Sequence, residues 1–284
     1  PLVTGPLPED HIAIAGFDPG TALALLLSTP VVPEITPRTY QIYARGQQLG
    51  NRANVLTKVG DCNIYRDAFL ELIGQGRYDL GPYGYLQGAI DFFGAPLYEG
   101  GPSSLTRQSI AARPGYTSVI LTDPTFSYLA ACQANESLLE CEYRTVRPSV
   151  ALINVGLLDI TSMTGVQYEQ AMRRVLDITL ARGVIPVLTT IPSGPEGHAK
   201  WLPTLEFNAI MVRLAQEYDV PLINFWLATR SLPDGGLSQD LVHVTLSYSG
   251  GVYFNGMESQ FGYDLWNLVT LQTLENLRRN VLVH

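Results

Sequence analysis

Charge is scarce in this chain of 284 residues, where only 15% are Asp, Glu, Lys or Arg. Basic residues are the scarcer kind: 18 Lys and Arg stand against 26 Asp and Glu, a net charge of −8. Clustered Lys and Arg are missing, which excludes a nucleic-acid partner. Long apolar runs are missing too. The stretch Ala22 to Leu27 falls far short of the roughly 20 residues a membrane span requires, so no span is expected. There is no internal repeat, low-complexity tract or convincing linker, and no paired-cysteine spacing of the zinc-site kind. No metal and no cofactor are expected. What is present is apolar substance: 46% of residues are hydrophobic, enough for a sizeable core and too much for disorder.

Cysteine is sparse, with three in all. Cys132 and Cys141 lie close together in a polar, loop-like stretch, and Cys62 lies far away. One local Cys132–Cys141 disulfide plus a free Cys62 is the economical pairing, and it fits an oxidising compartment. Three reduced thiols in a cytosolic protein are the other reading. The chain begins at Pro1 without a Met or a signal peptide, and the expectation is a mature or trimmed form of an extracellular or periplasmic protein. Asn135-Glu136-Ser137 is a glycosylation sequon, though one triplet says little.

Residues 1–50 are rich in Pro and Gly and read as an arm on a single domain spanning 51–284, with a short helix over Arg38 to Gln48. Ala53 to Val59 suits a buried strand. Ile64 to Ile73 then has apolar residues on one helical face. The segment from Gly74 to Gly101 is dense in Gly, Tyr and Phe; it serves either a substrate groove or ordinary packing. Ser109 to Arg113 reads as a short strand, followed by a turn at Pro114-Gly115 and a helix entering near Thr117 or Ser118. Ser149 to Val155 is apolar on both faces, as a central parallel strand should be. Thr164-Gly-Val-Gln167 has capping-box spacing, and the helix it opens ends at Gly183. Strands are expected over Val184 to Ile191 and Val220 to Phe225, and helices over Trp201 to Tyr218 and Leu265 to Leu277. Between them Leu227 to Asn255 is long and irregular. This alternation argues a three-layer α/β/α sandwich with a mainly parallel sheet, whose ligands bind beyond the strands' carboxyl ends.

Cys62 falls at that edge, on a tight strand-to-helix turn where Gly60 supplies backbone freedom. The position near a helix start should lower a thiol pKa and present a nucleophile. A small buried cysteine capping a strand is the plainer reading. Gly115, Gly156 to Asp159 and the loop with Asp240-Leu-Val-His243 fall at the same edge. An Asp and a His three apart also serve merely to hold a loop. A metal site from Cys62, Asp240 and His243 lacks a fourth ligand. His11, His198 and His284 read as surface or terminal residues.

Taken together, these segments resemble the SGNH (GDSL) hydrolase family over roughly residues 50–280. Its Gly-Asp-Ser block falls on Gly60-Asp61-Cys62, its Gly-x-Asn-Asp block on Gly156-Leu157-Leu158-Asp159, and its Asp-x-x-His block on Asp240-Leu241-Val242-His243. The segments around Cys132 to Arg147 and Gly262 to Leu274 look like a secreted bacterial branch. The resemblance implies the flavodoxin-like sheet of that family and hydrolysis of a small-molecule, lipid or glycan ester. Cys62 would be the nucleophile, His243 the base, and Asp240 the group orienting it. The backbone N–H groups of Cys62 and Gly115 would serve the oxyanion hole, and Asn63, Gly156 and Asp159 would bind substrate. Two parts depart from the pattern: Cys62 replaces Ser, and Leu158 replaces the Asn whose amide would be a third oxyanion donor. Losing one such donor costs about 2.7–4 kcal/mol, and Asn63 or Asn154 would have to substitute for it. A relative without turnover, binding a glycan or acylated ligand, is the other function these changes allow.

Overall fold

A computed structural model describes residues 17–247 and 250–283. His11, His284 and the first 16 residues of the expected arm lie outside the described residues. The rest of that stretch is not irregular. It holds α1 (Pro19–Ser28) and α2 (Pro37–Gln48). Helix α1 starts at Pro19 behind Asp18, whose carboxylate accepts the Thr21 N–H, a Pro-and-cap start that the count of prolines conceals.

The chain then runs through β1 (Arg52–Gly60), α3 (Cys62–Tyr65), α4 (Glu71–Gly74), β2 (Tyr78–Asp79), α5 (Gln87–Phe93), α6 (Ser118–Thr122), α7 (Leu138–Val146) and β3 (Pro148–Asn154). It continues with α8 (Gly165–Ala181), β4 (Ile185–Thr189), α9 (Trp201–Tyr218), β5 (Leu222–Ile223), α10 (Phe225–Thr229), β6 (Val252–Tyr253) and α11 (Gly262–Leu277).

Four strands form one parallel sheet in the order β1-β3-β4-β5. Every residue of β3 and β4 is buried, which is why those strands read as unbroken apolar runs. The expected strand at Ser109 to Arg113 shrinks to a single parallel bridge on the outer side of β1, Gly60 to Ala112. With that bridge at the outer edge the order runs Ala112 bridge, β1, β3, β4, β5, the flavodoxin-like arrangement, whose switch point falls between the carboxyl ends of β1 and β3. Helices α7, α8 and α9 cover one face, and α2, α5 and α11 the other. The three-layer α/β arrangement read from the sequence is therefore present.

Local differences have local causes. The single helix expected over Ile64 to Ile73 is two short ones, because Leu70 takes a left-handed φ of 65° between them. The last sheet strand is only Leu222–Ile223, since Asn224 caps α10 by accepting the Leu227 N–H. The capping box at Thr164 and Gln167 and the Thr117 cap of α6 are both formed. Cys132 and Cys141 are joined in a disulfide, which ties the loop before α7 to that helix.

Candidate active site

Gly60 ends β1 with φ 145°, and a Cβ there would come within 1.8 Å of the Asn154 carbonyl oxygen on β3. Only glycine lets the two strand ends approach so closely and still turn away. Gly156, with φ 137°, does the same after β3, where a Cβ would meet Ile191 and the Tyr168 hydroxyl. The two turns lie side by side at the switch point. Asp61 opens the first of them: its buried carboxylate accepts the Asn63 N–H at 3.2 Å and caps α3. Cys62 is the next residue, half-buried and the one free cysteine among the described residues.

A cleft of about 470 Å³ opens above it, lined by Cys62, Tyr65, Arg66, Glu71, Pro114 and His243 among others. Cys62 and His243 are 181 positions apart, and the fold brings both to this one cleft. The loop that carries His243 is tightly built. A bridge between Leu237 and Val244 closes it, and the Ser238 N–H donates to the His243 carbonyl at 2.8 Å. Asp240 sits at its tip. One carboxylate oxygen accepts the N–H groups of Val242 and His243, both at 3.0 Å, and the other meets His243 Nδ1 at 2.6 Å. The imidazole is thereby fixed with Nδ1 toward the acid and Nε2 free.

Asn63 braces the same loop from below. Its side-chain amide donates to the Val242 carbonyl at 3.1 Å, and its amide oxygen accepts the Val244 N–H at 3.2 Å. Both bonds flank His243. The Tyr263 hydroxyl donates to the Asn63 carbonyl at 2.8 Å. Asn63 is buried, so the structure gives it a bracing place rather than a face toward substrate. The sequence signal is adjacency alone: Asn63 follows Cys62, but its partners lie in a distant loop.

Other expected site residues lie differently. Asp159 is fully buried; Ser118 donates to its carboxylate through both its N–H, at 2.9 Å, and its hydroxyl. Leu158 is half-buried at the start of the turn Asp159–Thr161. Gly115 takes a left-handed turn, φ 93°, immediately after the cleft residue Pro114. The Asn154 amide donates to the Thr189 carbonyl at 3.1 Å. Neither Asn63 nor Asn154 is thus a spare amide for the donor that Leu158 lacks. The aromatic-rich stretch from Gly74 to Gly101 packs elsewhere, with Phe92 edge-on to Phe93 and Tyr78 bonded to Gln87. Arg66, Glu71 and Gln108 line the cleft without having been expected from the sequence. Arg66 was within reach of such reasoning, one turn beyond Cys62; Gln108, distant in sequence, was not.

The electrostatics correct one expectation. The Cys62 thiol is not lowered but pushed up to about 12, first by burial and then by the neighbouring Asp61 carboxylate. A helix of four residues offers too little dipole to compensate. Burial likewise raises Asp61 to about 7, with Asp159 nearby adding to the rise. Asp240 goes the other way: partial burial opposes its ionisation, but the hydrogen bonds from His243 and Val242 prevail and hold it below the usual carboxylate value. The cleft therefore holds a neutral thiol and an imidazole whose acid partner is ionised.

Among solved structures, the chain is similar to the psychrotrophic esterase EstA from Pseudoalteromonas sp., with 13% identity over 80% of this chain and 100% of that one and a TM-score of 0.47. It is also similar to TesA, with 16% identity over 79% and 96% and a TM-score of 0.43. A GDSL-like lipase from Bacteroides thetaiotaomicron shares 15% identity over 84% and 98%, with a TM-score of 0.44. No family model and no curated protein matches the chain.

Proposed function

We propose that this chain is a carboxylic-ester hydrolase of the SGNH type, working through Cys62, His243 and Asp240. The observation that carries the reading is the single cleft walled by both Cys62 and His243, with His243 Nδ1 held 2.6 Å from Asp240. Because the thiol is neutral, His243 Nε2 takes its proton as the sulfur attacks the ester carbonyl carbon. The C–S bond forms, the carbonyl becomes an oxyanion, and Asp240 stabilises the imidazolium. The imidazolium then gives its proton to the departing alkoxide, leaving a thioester on Cys62. Water, deprotonated by His243, attacks that thioester; the acid leaves and the thiol is restored. The N–H groups of Cys62 and Gly115 would receive the oxyanion. The disulfide suits an oxidising compartment, and no described helix is long and apolar enough to cross a membrane.

Leu158 favours a second reading, a glycan- or acyl-binding module without turnover, since the amide missing there is worth roughly 10²–10³ in rate. Hydrolysis of p-nitrophenyl acetate separates the two. The hydrolase reading expects turnover above background that Cys62→Ala and His243→Ala both abolish. It also expects the double variant Cys62→Ser with Leu158→Asn to be faster than the parent. Turnover indistinguishable between the parent and His243→Ala leaves the binding module.

A further inference from the structure

A second cleft, of about 330 Å³, is walled in part by the same loop that carries His243. Its wall includes Ser193, Trp201, Trp226, Arg230, Asp234 and Leu241. None of these takes part in the chemistry above.

The cleft has a built interior. Trp226 is buried, and its indole Nε1 donates to the Ser193 hydroxyl oxygen at 2.9 Å. That bond uses an acceptor site on Ser193 and leaves its hydroxyl proton free to donate into the cleft. Trp201 is half-buried, its ring 6.2 Å from that of Trp226 and tilted by 45°. Arg230 is laid across both, its guanidinium carbon 4.7 Å from one ring centre and 5.9 Å from the other. Its planar fork is oriented by the indoles, and the guanidinium is exposed at the mouth of the cleft. Exposed carboxylates of Glu196 and Asp234 supply acceptors at the rim.

An indole face, a forked donor, a hydroxyl donor and carboxylate acceptors suit a pyranose ring. Its C–H face packs on the exposed part of Trp201, the less buried of the two indoles, and its hydroxyls find both donors and acceptors. An acyl chain would use the indole but none of the polar groups arranged around it. A phosphate or uronate would face Glu196 and Asp234, whose charge opposes it. The occupant that fits is a neutral sugar.

Position links this cleft to the reacting one. Leu241 walls it, while His243, two residues on, walls the cleft of Cys62. Two residues of extended chain reach at most about 7 Å. We propose that the second cleft is a glycan subsite that holds a neutral pyranose ring, so that an acyl group esterified to the same oligosaccharide reaches Cys62. The binding half stands alone; the ester half rests on the hydrolase reading.

The test titrates the protein with neutral tetrasaccharides that carry no ester, namely cellotetraose, xylotetraose, mannotetraose and N-acetylated chitotetraose, followed by tryptophan fluorescence. At least one should produce a saturable change with a dissociation constant near or below about 1 mM. Binding should weaken at least 10-fold in Trp201→Ala and, independently, in the exposed Arg230→Ala. No saturable binding by any of the four, or equal binding by the parent and Arg230→Ala, overturns the subsite. Ester hydrolysis without sugar binding would sink this inference and leave the hydrolase reading standing. Sugar binding without hydrolysis would do the reverse for the catalytic proposal and keep the subsite.

Discussion

Cys62 and Asp61 are neighbours whose ionisations oppose each other. With the thiol raised to about 12, iodoacetamide should alkylate it slowly at neutral pH, the rate climbing only well above pH 9. Asp61→Asn keeps a good helix cap but removes the adjacent charge, so alkylation should quicken and its profile move to lower pH. The same variant has a stability signature. Folding raises the Asp61 carboxyl from 3.8 to about 7, so the folded chain holds that proton more tightly than the unfolded one. Its contribution is fully present below about pH 4 and is lost as pH climbs through about 7. Denaturant melts across that window should show the parent losing stability with rising pH and Asp61→Asn losing less. A parallel decline in both would place the burden elsewhere. Asn63 makes a separate prediction. Asn63→Leu removes two bonds that bracket His243, and a displaced base should lower kcat by roughly 10²-fold with KM little changed. Loss of melting temperature with kcat intact would reduce Asn63 to a packing residue.

Helix α11 is the element that joins the two halves of the site. Near its N-terminus, Tyr263 donates its N–H to the Thr245 carbonyl at 3.0 Å, just beyond the His243 loop, and its hydroxyl reaches Asn63. One turn on, Asn267 holds the segment after Cys62 by accepting the Leu70 N–H at 2.9 Å and donating to the Ala68 carbonyl at 2.8 Å. Between them Trp266 stacks on Phe225 and Tyr263 and against Phe69. Asn267→Ala leaves two buried backbone groups unpaired, at about 1–3 kcal/mol each. Chemical denaturation should show a loss of that order, and a loss below about 0.5 kcal/mol would mean the segment is held by other contacts. None of this was legible in the sequence. The leucines of α11 announced a helix, but Asn267 has partners nearly 200 positions away, and no local pattern encodes such a bond. Strands β3 and β4 and helices α8 and α9 were legible, because burial on both faces, a capping box at α8 and an apolar stripe along α9 each leave a local mark. The break at Leu70 was not, since the apolar stripe runs through it unbroken.

At the scale of the molecule, a parallel sheet collects loops at one edge, and that logic alone predicted where Cys62, Gly156 and His243 would gather. It did not predict the thiol's ionisation, which depends on how deeply the turn sinks and on the Asp61 carboxylate beside it. Nor did it predict the second cleft, whose walls come from the loop after β4, from α10 and from the loop of Asp240. The proposed chemistry therefore requires the sulfur and the imidazole to act as one unit. Intact-protein mass spectrometry after brief exposure to p-nitrophenyl acetate, with peptide mapping, measures this directly. One acyl group on Cys62 in the parent, absent in both Cys62→Ala and His243→Ala, is the expected result. Acylation of Cys62 that persists undiminished in His243→Ala, or none on Cys62 in the parent, would contradict it.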